Sequence, residues 1–210
     1  MDTETLAAVF IEFADTLVDE FDITDFLRLV TRRCGELLDV TTAGILLGDH
    51  EGSMRIAAAS TEQTRILELL QLLTDEGPCP DCFRTRLPVV VPDLTEPATL
   101  EKWPRFAHAA IEAGFASVHT LPMRLRGKTV GALNLFDIRQ GNPTRTTLHL
   151  AQALADMATI GILQERAVRH QELLSAQLQQ ALDLLRPVTL GGAEHDLEPG
   201  DTAEEASSTG

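Results

Sequence analysis

One stretch of this chain, SVHTLPMRLRGKTVGALNLFDI over residues 117–138, narrows the choice of fold more than any other. Two β-rich runs, 117–126 and 129–138, flank Gly127–Lys128, a Gly-x pair of the kind that closes a type II′ hairpin. In the first run His119, Leu121, Met123 and Leu125 share one face, while Thr120, Arg124 and Arg126 take the other. The second run is apolar on both faces through Asn134, as in a central strand covered from both sides. Pro122 has no N–H to give to a ladder, so it predicts a bulge or an edge near that point. A hairpin of this kind needs helices over both of its faces.

The chain supplies them. Leu6, Val9, Phe10, Phe13 and Leu17 recur at helical spacing and predict a helix over 3–18. A second helix starts at Thr24–Asp25, read as N-caps, and carries Phe26, Leu29, Val30, Cys34, Leu37 and Leu38 on one face. Cys34 therefore belongs to a core stripe, where a thiol acts as a small hydrophobe. Residues 41–49 and 54–60 read as strands around the turn residues HEG, and a helix capped by Thr61 follows. Residues 88–94 read as a short buried strand between prolines, and 103–114 as a short helix stopped at Gly114. Residues 144–186 form one helical segment without proline. Leu148, Ala151, Leu154, Ala155, Ala158 and Ile162 are placed to pack on the sheet. Ala167, Leu174, Leu178, Ala181 and Leu185 make a narrower stripe, interrupted at Gln171, suited to another helix. The expected class is α+β: an antiparallel sheet flanked by helices, with a long C-terminal helix.

Charge decides which partners to expect. The chain has 210 residues, enough for one good core, and a formal charge of −15. The first 25 residues hold eight acidic and no basic side chains, and residues 187–210 hold six and none. Such a chain is repelled by phosphate backbones and anionic bilayers. No nucleic acid and no membrane are expected as direct partners. The acidic N-terminus does not read as a secretory leader, and three cysteines do not pair into a secreted framework. A cytoplasmic location is expected.

The motif that raises chemistry is Cys79-Pro-Asp-Cys82. With Cys79 as cap and Pro80 at the first helical position, both sulfurs lie near a helix N-terminus, whose dipole favours thiolate. Against a redox role, no buried strand leads directly in, and Asp75 and Glu76 oppose the thiolate. Zinc needs four ligands; no second C-x-x-C exists and the histidines are scattered singly. A structural turn or pocket wall is the preferred reading, with redox response and metal binding left open. His119 on its apolar face, Asp93 after Pro92, and Trp103 with Phe106 three positions on complete the candidate pocket residues. For each, plain packing or a turn is the bland alternative. Arg124, Arg126, Lys128, Arg139 and Arg145 are expected to gather at one hairpin end. His170 lies on the long helix where a sensor kinase places its phosphoacceptor, but no glycine-rich ATP site accompanies it. No hydrolase, zinc-protease, P-loop or dinucleotide motif is present.

The stretches EGPCPDCFRTRLPVVVPDL, WPRFAHAAIEAGFASVHTLPMRLRGKTVGALNLF and DMATIGILQERA, in this order of elements, resemble a GAF domain. They look most like those that precede the ANTAR RNA-binding domain of transcription antitermination regulators. The resemblance covers about residues 7–181 and implies a five- or six-stranded antiparallel sheet, a small-molecule pocket covered by the irregular middle, a sensory role and dimerisation through terminal helices. ELLSAQLQQALD, 172–183, is similar to the helix leading into an ANTAR domain, but the expected basic helices do not follow and the ANTAR part is read as missing. Some GAF-type enzymes reduce free methionine sulfoxide through cysteines that are farther apart than Cys79 and Cys82.

The resulting division is an N-terminal dimer-bundle helix over 1–23, a GAF-like sensory domain over 24–165, a helical extension over 166–186 and a disordered acidic tail over 187–210. The expected protein is a homodimeric sensory or regulatory module for signal transduction or transcription regulation, not an enzyme. It would bind an unidentified small molecule through Cys79, Cys82, Asp93, Trp103, Phe106 and His119, without a named cofactor or metal, and signal to an output supplied by a partner protein. A thiol-dependent redox switch or reductase at Cys79 and Cys82 is the alternative.

Overall fold

A computed structural model describes residues 3–18, 22–49, 53–125 and 128–185. The elements run α1 (Thr3–Val18), α2 (Ile23–Leu38), β1 (Thr42–Gly48), β2 (Met54–Ala59), α3 (Glu62–Thr74), α4 (Pro78–Thr85), β3 (Val89–Val91), α5 (Pro97–Lys102), α6 (Pro104–Glu112), β4 (Ser117–Leu125), β5 (Lys128–Asp137) and α7 (Arg145–Leu185). The strands form one antiparallel sheet in the order β2-β1-β5-β4-β3. β5 is central, as its apolar faces require, and the fold is the α+β architecture expected. Packing divides the chain into two units, Met1–Arg169 and His170–Gly210.

Alternation on β4 and β5 sends their side chains to two different interiors. Leu121, Met123, Leu133 and Leu135 join Ile45, the apolar side of α2 and α7 residues Ala151, Leu154, Ala155, Ala158 and Ile162 in the larger core. From α1, Val9, Phe13 and Leu17 are buried in that core, and the Phe13 ring meets Phe26 edge-on at 5.8 Å. Cys34 is fully buried there, and burial pushes its thiol up to about 12. On the other face Val118 and Phe136 meet Trp103, Phe106, Leu94 and Phe115, while Ala132 and Leu46 meet Cys79 and Cys82.

Several boundaries differ from the sequence reading. The N-cap of α2 is Asp22, whose carboxylate accepts from the amides of Thr24 and Asp25, so those two residues lie inside the first turn. β3 is an edge strand of three residues with Val90 38% exposed, not a buried strand over 88–94, because only β4 flanks it. Helix α5 was not foreseen; Pro97 opens it and Trp103 both ends it and starts α6. Lys128 pairs with Leu125 within the ladder, so it is a strand residue, while Gly127 lies outside the described residues. The HEG turn and the acidic tail also lie outside them. Pro122 sits beyond the reach of β3, and the register of β4 shifts one step further on, between Met123 and Arg124. Arg139 and Arg145 follow the end of β5 opposite to Arg124, so the basic residues do not gather at one end.

Thr61 caps α3 as read, accepting from the Thr64 amide at 3.2 Å. Thr61→Ala is expected to cost about 1 kcal/mol, measured as a lower urea midpoint with an unchanged slope.

Candidate functional site

Helix α3 turns its polar side inward. Thr64, Leu67, Glu68 and Gln71 are buried, whereas Ile66, Leu69 and Leu73 are exposed. The reason lies across from them on the sheet, where Asn134 of β5 and Thr120 of β4 are paired neighbours with no exposed surface. Asn134 Nδ2 donates to both oxygens of Glu68, at 2.7 and 2.9 Å, and Gln71 Nε2 donates to Glu68 Oε2 at 2.9 Å. The Thr120 hydroxyl donates to Asn134 Oδ1 at 2.6 Å, and the Cys79 amide donates to Gln71 Oε1 at 2.9 Å. A continuous polar network thus runs from β4 through α3 to the first turn of α4.

Two glycines make room for it. A Cβ at Gly44 of β1 would overlap the Glu68 carboxyl. Gly77, at φ +132°, caps α4 while its missing side chain leaves space for Gln71. The cap is therefore Gly77 with Pro78 first in the helix, not Cys79 with Pro80.

Electrostatically the site is unusual. Burial pushes the Glu68 carboxyl up to about 8, against the hydrogen bonds from Asn134 and Gln71, which favour ionisation. Burial first, then the neighbouring Glu68, holds the Cys79 thiol well above its ordinary value. Burial pushes Cys82 up to about 12, with Arg124 opposing it. Both thiols are fully buried, and Cys82 Sγ lies 3.9 Å from the Thr120 carbonyl. Desolvation thus opposes the dipole of the helix N-terminus, which favours the thiolate.

The other residues named from sequence fall in separate places. Trp103 and Phe106 meet edge-on at 6.4 Å and pack with Phe136 and Phe115. Lys102 Nζ lies 4.4 Å from the centre of the Trp103 ring. Asp93 closes a turn, accepting from the Thr95 amide at 2.8 Å and hydroxyl at 2.6 Å. His119 faces α2 and α7, across the sheet from the cysteines. The structure therefore brings Cys79 and Cys82 together, puts Trp103 and Phe106 nearby on the same side, and separates His119. Glu68, Gln71, Thr120 and Asn134 were missed by the sequence reading. The available signal was an asparagine in an otherwise apolar central strand, facing a helix with polar residues at helical spacing.

A cleft of about 520 Å³ opens beside the network, lined by Met54, Gln71, Leu72, Pro80, Phe83 and Arg84 among others. Gln71 belongs both to its wall and to the network. Salt bridges hold the outer side of α4: Asp81 meets Arg84 at 2.8 Å and Lys102 at 2.7 Å. Among the described residues no cluster of metal-ligating side chains exists, and no helix is long and apolar enough to cross a membrane.

The helix-flanked antiparallel sheet, with this interior between it and α3 and α4, defines the class. The GAF domain family model matches residues 22–162, and the chain belongs to that family. No curated protein matches it. Among solved structures it is similar to the GAF domain of a phosphoenolpyruvate-protein phosphotransferase from Coxiella burnetii, at 15% identity and TM-score 0.61, over 81% of this chain and 99% of that one. The corresponding domain from Acinetobacter gives 13% identity and TM-score 0.60 over 81% and 99%. A domain of a two-component sensor histidine kinase from Sinorhizobium meliloti gives 17% and 0.56 over 68% and 92%. These likenesses are of fold.

Proposed function

We propose that this chain is a sensory or regulatory GAF domain that binds a small molecule under α3 and α4 and signals through paired terminal helices. The observation that carries the reading is the buried Glu68, whose carboxyl is held by amide donors with no cation beside it among the described residues. Replacing such a network by apolar side chains stabilises many folds, so its presence inside a small domain speaks for a use. The ligand enters by the cleft beside Gln71 and engages Glu68 and Asn134, with Cys79 and Cys82 as pocket wall. Residues Leu174, Leu178 and Leu182, spaced four apart and all exposed, supply the stripe for a second copy. Ligand binding shifts the balance between helix arrangements to the extent that it favours one of them. A partner protein reads that shift, in the cytoplasm, in the place of the ANTAR domain that follows the GAF domain in the regulators this sequence resembles.

A thiol-based redox switch or reductase is the second reading, favoured by two free cysteines one turn apart on the inner side of α4. Native mass spectrometry of protein taken directly from cells, with and without reductant, separates the two. The expected result is a dimer carrying a small adduct that survives reduction. A bare subunit that gains about two mass units on reduction, from an opened disulfide, would move the assignment to the thiols. A bare monomer unchanged by reductant would defeat both.

A further inference from the structure

The polar interior under α3 and α4 is closed. Glu68, Gln71, Thr120, Asn134, Cys79 and Cys82 have no exposed surface, so nothing reaches them until an element above them moves. Helix α3 supplies half of the network and rests on β1, β2 and α6. Helix α6 is seated by Phe106 and Ala110 among the aromatic side chains of Phe115 and Phe136. Helix α4 is fastened more lightly. Its eight residues join a small cluster, Cys79 and Cys82 with Leu46 and Ala132, that stands apart from the two larger cores. Both of its ends are positive-φ bends, Gly77 at φ 132° before it and Arg86 at φ 63° after it. Such element-terminal residues can absorb the rotation of the segment between them.

Side chains hold α4 down. At its first turn the Cys79 amide donates to Gln71 Oε1 at 2.9 Å. On its outer side Asp81 meets Arg84 at 2.8 Å and Lys102 at 2.7 Å, and Arg84 also reaches Asp75 at 2.8 Å. Lys102 belongs to α5 and Asp75 caps the end of α3, so these ions tie α4 to both neighbours. The Asp81 side chain is only 18% exposed, so water competes less for it than for most surface pairs. Through Pro80, Phe83 and Arg84, α4 is also one wall of the cleft beside Gln71, and lifting it would join that cleft to the interior.

We propose that α4 is a lid that opens as a unit about Gly77 and Arg86 and is latched shut by Asp81 on Lys102 and Arg84. Admission of a small molecule through it rests on the sensory reading. The opening itself is read with no ligand present, so the two fail separately.

The three buried cysteines are the reporters, because Cys34 lies in the larger core on the other side of the sheet. The full chain is treated with N-ethylmaleimide under native conditions, and the rate at each cysteine is read by peptide mass spectrometry with fragmentation. Cys79 and Cys82 are expected to react more than about tenfold faster than Cys34, since local opening needs less free energy than global unfolding. Asp81→Asn and, separately, Lys102→Met are expected to speed these two thiols about three- to fivefold. Lys102→Met leaves the sequence of α4 intact, so its effect reads the tie and not the helix. Ile45→Val, in the larger core, is expected to speed Cys34 about fivefold and to leave Cys79 and Cys82 at the wild-type rate, because the open lid keeps that core. One shared rate for all three thiols would overturn the proposal. So would an equal response of all three to Ile45→Val, or latch variants that leave Cys79 and Cys82 unchanged.

Discussion

Asn134→Leu lowers stability by about 3–5 kcal/mol at pH 8, more than the loss of its packing volume explains. In the native protein Asn134 provides the two contacts from Nδ2 to Glu68 and accepts from Thr120, all without exposed surface. Leucine keeps the shape and removes these partners, leaving Glu68 with Gln71 alone and the Thr120 hydroxyl without its acceptor. The double variant Asn134→Leu/Glu68→Met recovers most of the loss, because the buried carboxyl that needed the amide is gone. Equilibrium urea unfolding of the two single variants and the double gives the coupling directly. Strict additivity would mean that the network contributes nothing as a network.

The same carboxyl sets a pH dependence of definite sign. Glu68 has its folded pKa raised from 4.5 to about 8, so between these values the native state keeps a proton that the unfolded chain has lost. Stability from this group is fully present below pH 4.5 and is lost as pH rises towards 8, at up to about 1.4 kcal/mol per pH unit. His119 acts oppositely: its pKa is lowered, so its contribution is lost as pH falls below the ordinary histidine value. The difference between wild type and Glu68→Gln therefore isolates the carboxyl. That difference curve should slope between pH 5 and pH 8; a flat one would show that Glu68 is ionised in the folded protein throughout.

Phe136→Ala is expected to cost about 3–5 kcal/mol. The ring has no exposed surface and lies 5.3 Å from Phe115 and 6.4 Å from Phe106. Its removal leaves a cavity that the edge-on Trp103–Phe106 pair cannot fill without breaking its own contacts. Val90→Ala, on the exposed side of the edge strand, serves as the control and changes stability by less than about 0.5 kcal/mol. Fluorescence of Trp103, the one tryptophan, follows both transitions. A small loss at Phe136 would mean that these aromatics frame an open space instead of a packed interior.

Local chemistry was enough to read most of the elements. The spacing of Phe13 and Leu17 marks α1, the Thr61 hydroxyl starts α3, and the two apolar faces of β5 require a central strand. Each of these depends on neighbours along the chain. Hydropathy alone puts Cys34 in the core of α2, and there it lies. On α3 the same rule misleads, since Ile66, Leu69 and Leu73 point outward while Glu68 and Gln71 point in. Nothing within ILELLQLL can reverse that preference. The partner that does is Asn134, 66 positions away, brought opposite Glu68 only when β5 takes the centre of the sheet. The candidate residues divide for a similar reason. Alternation along β4 sends His119 to one interior and Thr120 to the other, and only the layers packed on each face decide what those interiors contain. Element type followed from contacts a few residues apart, whereas the site is made of groups whose energies depend on desolvation and on distant partners, and both of these exist only in the folded chain.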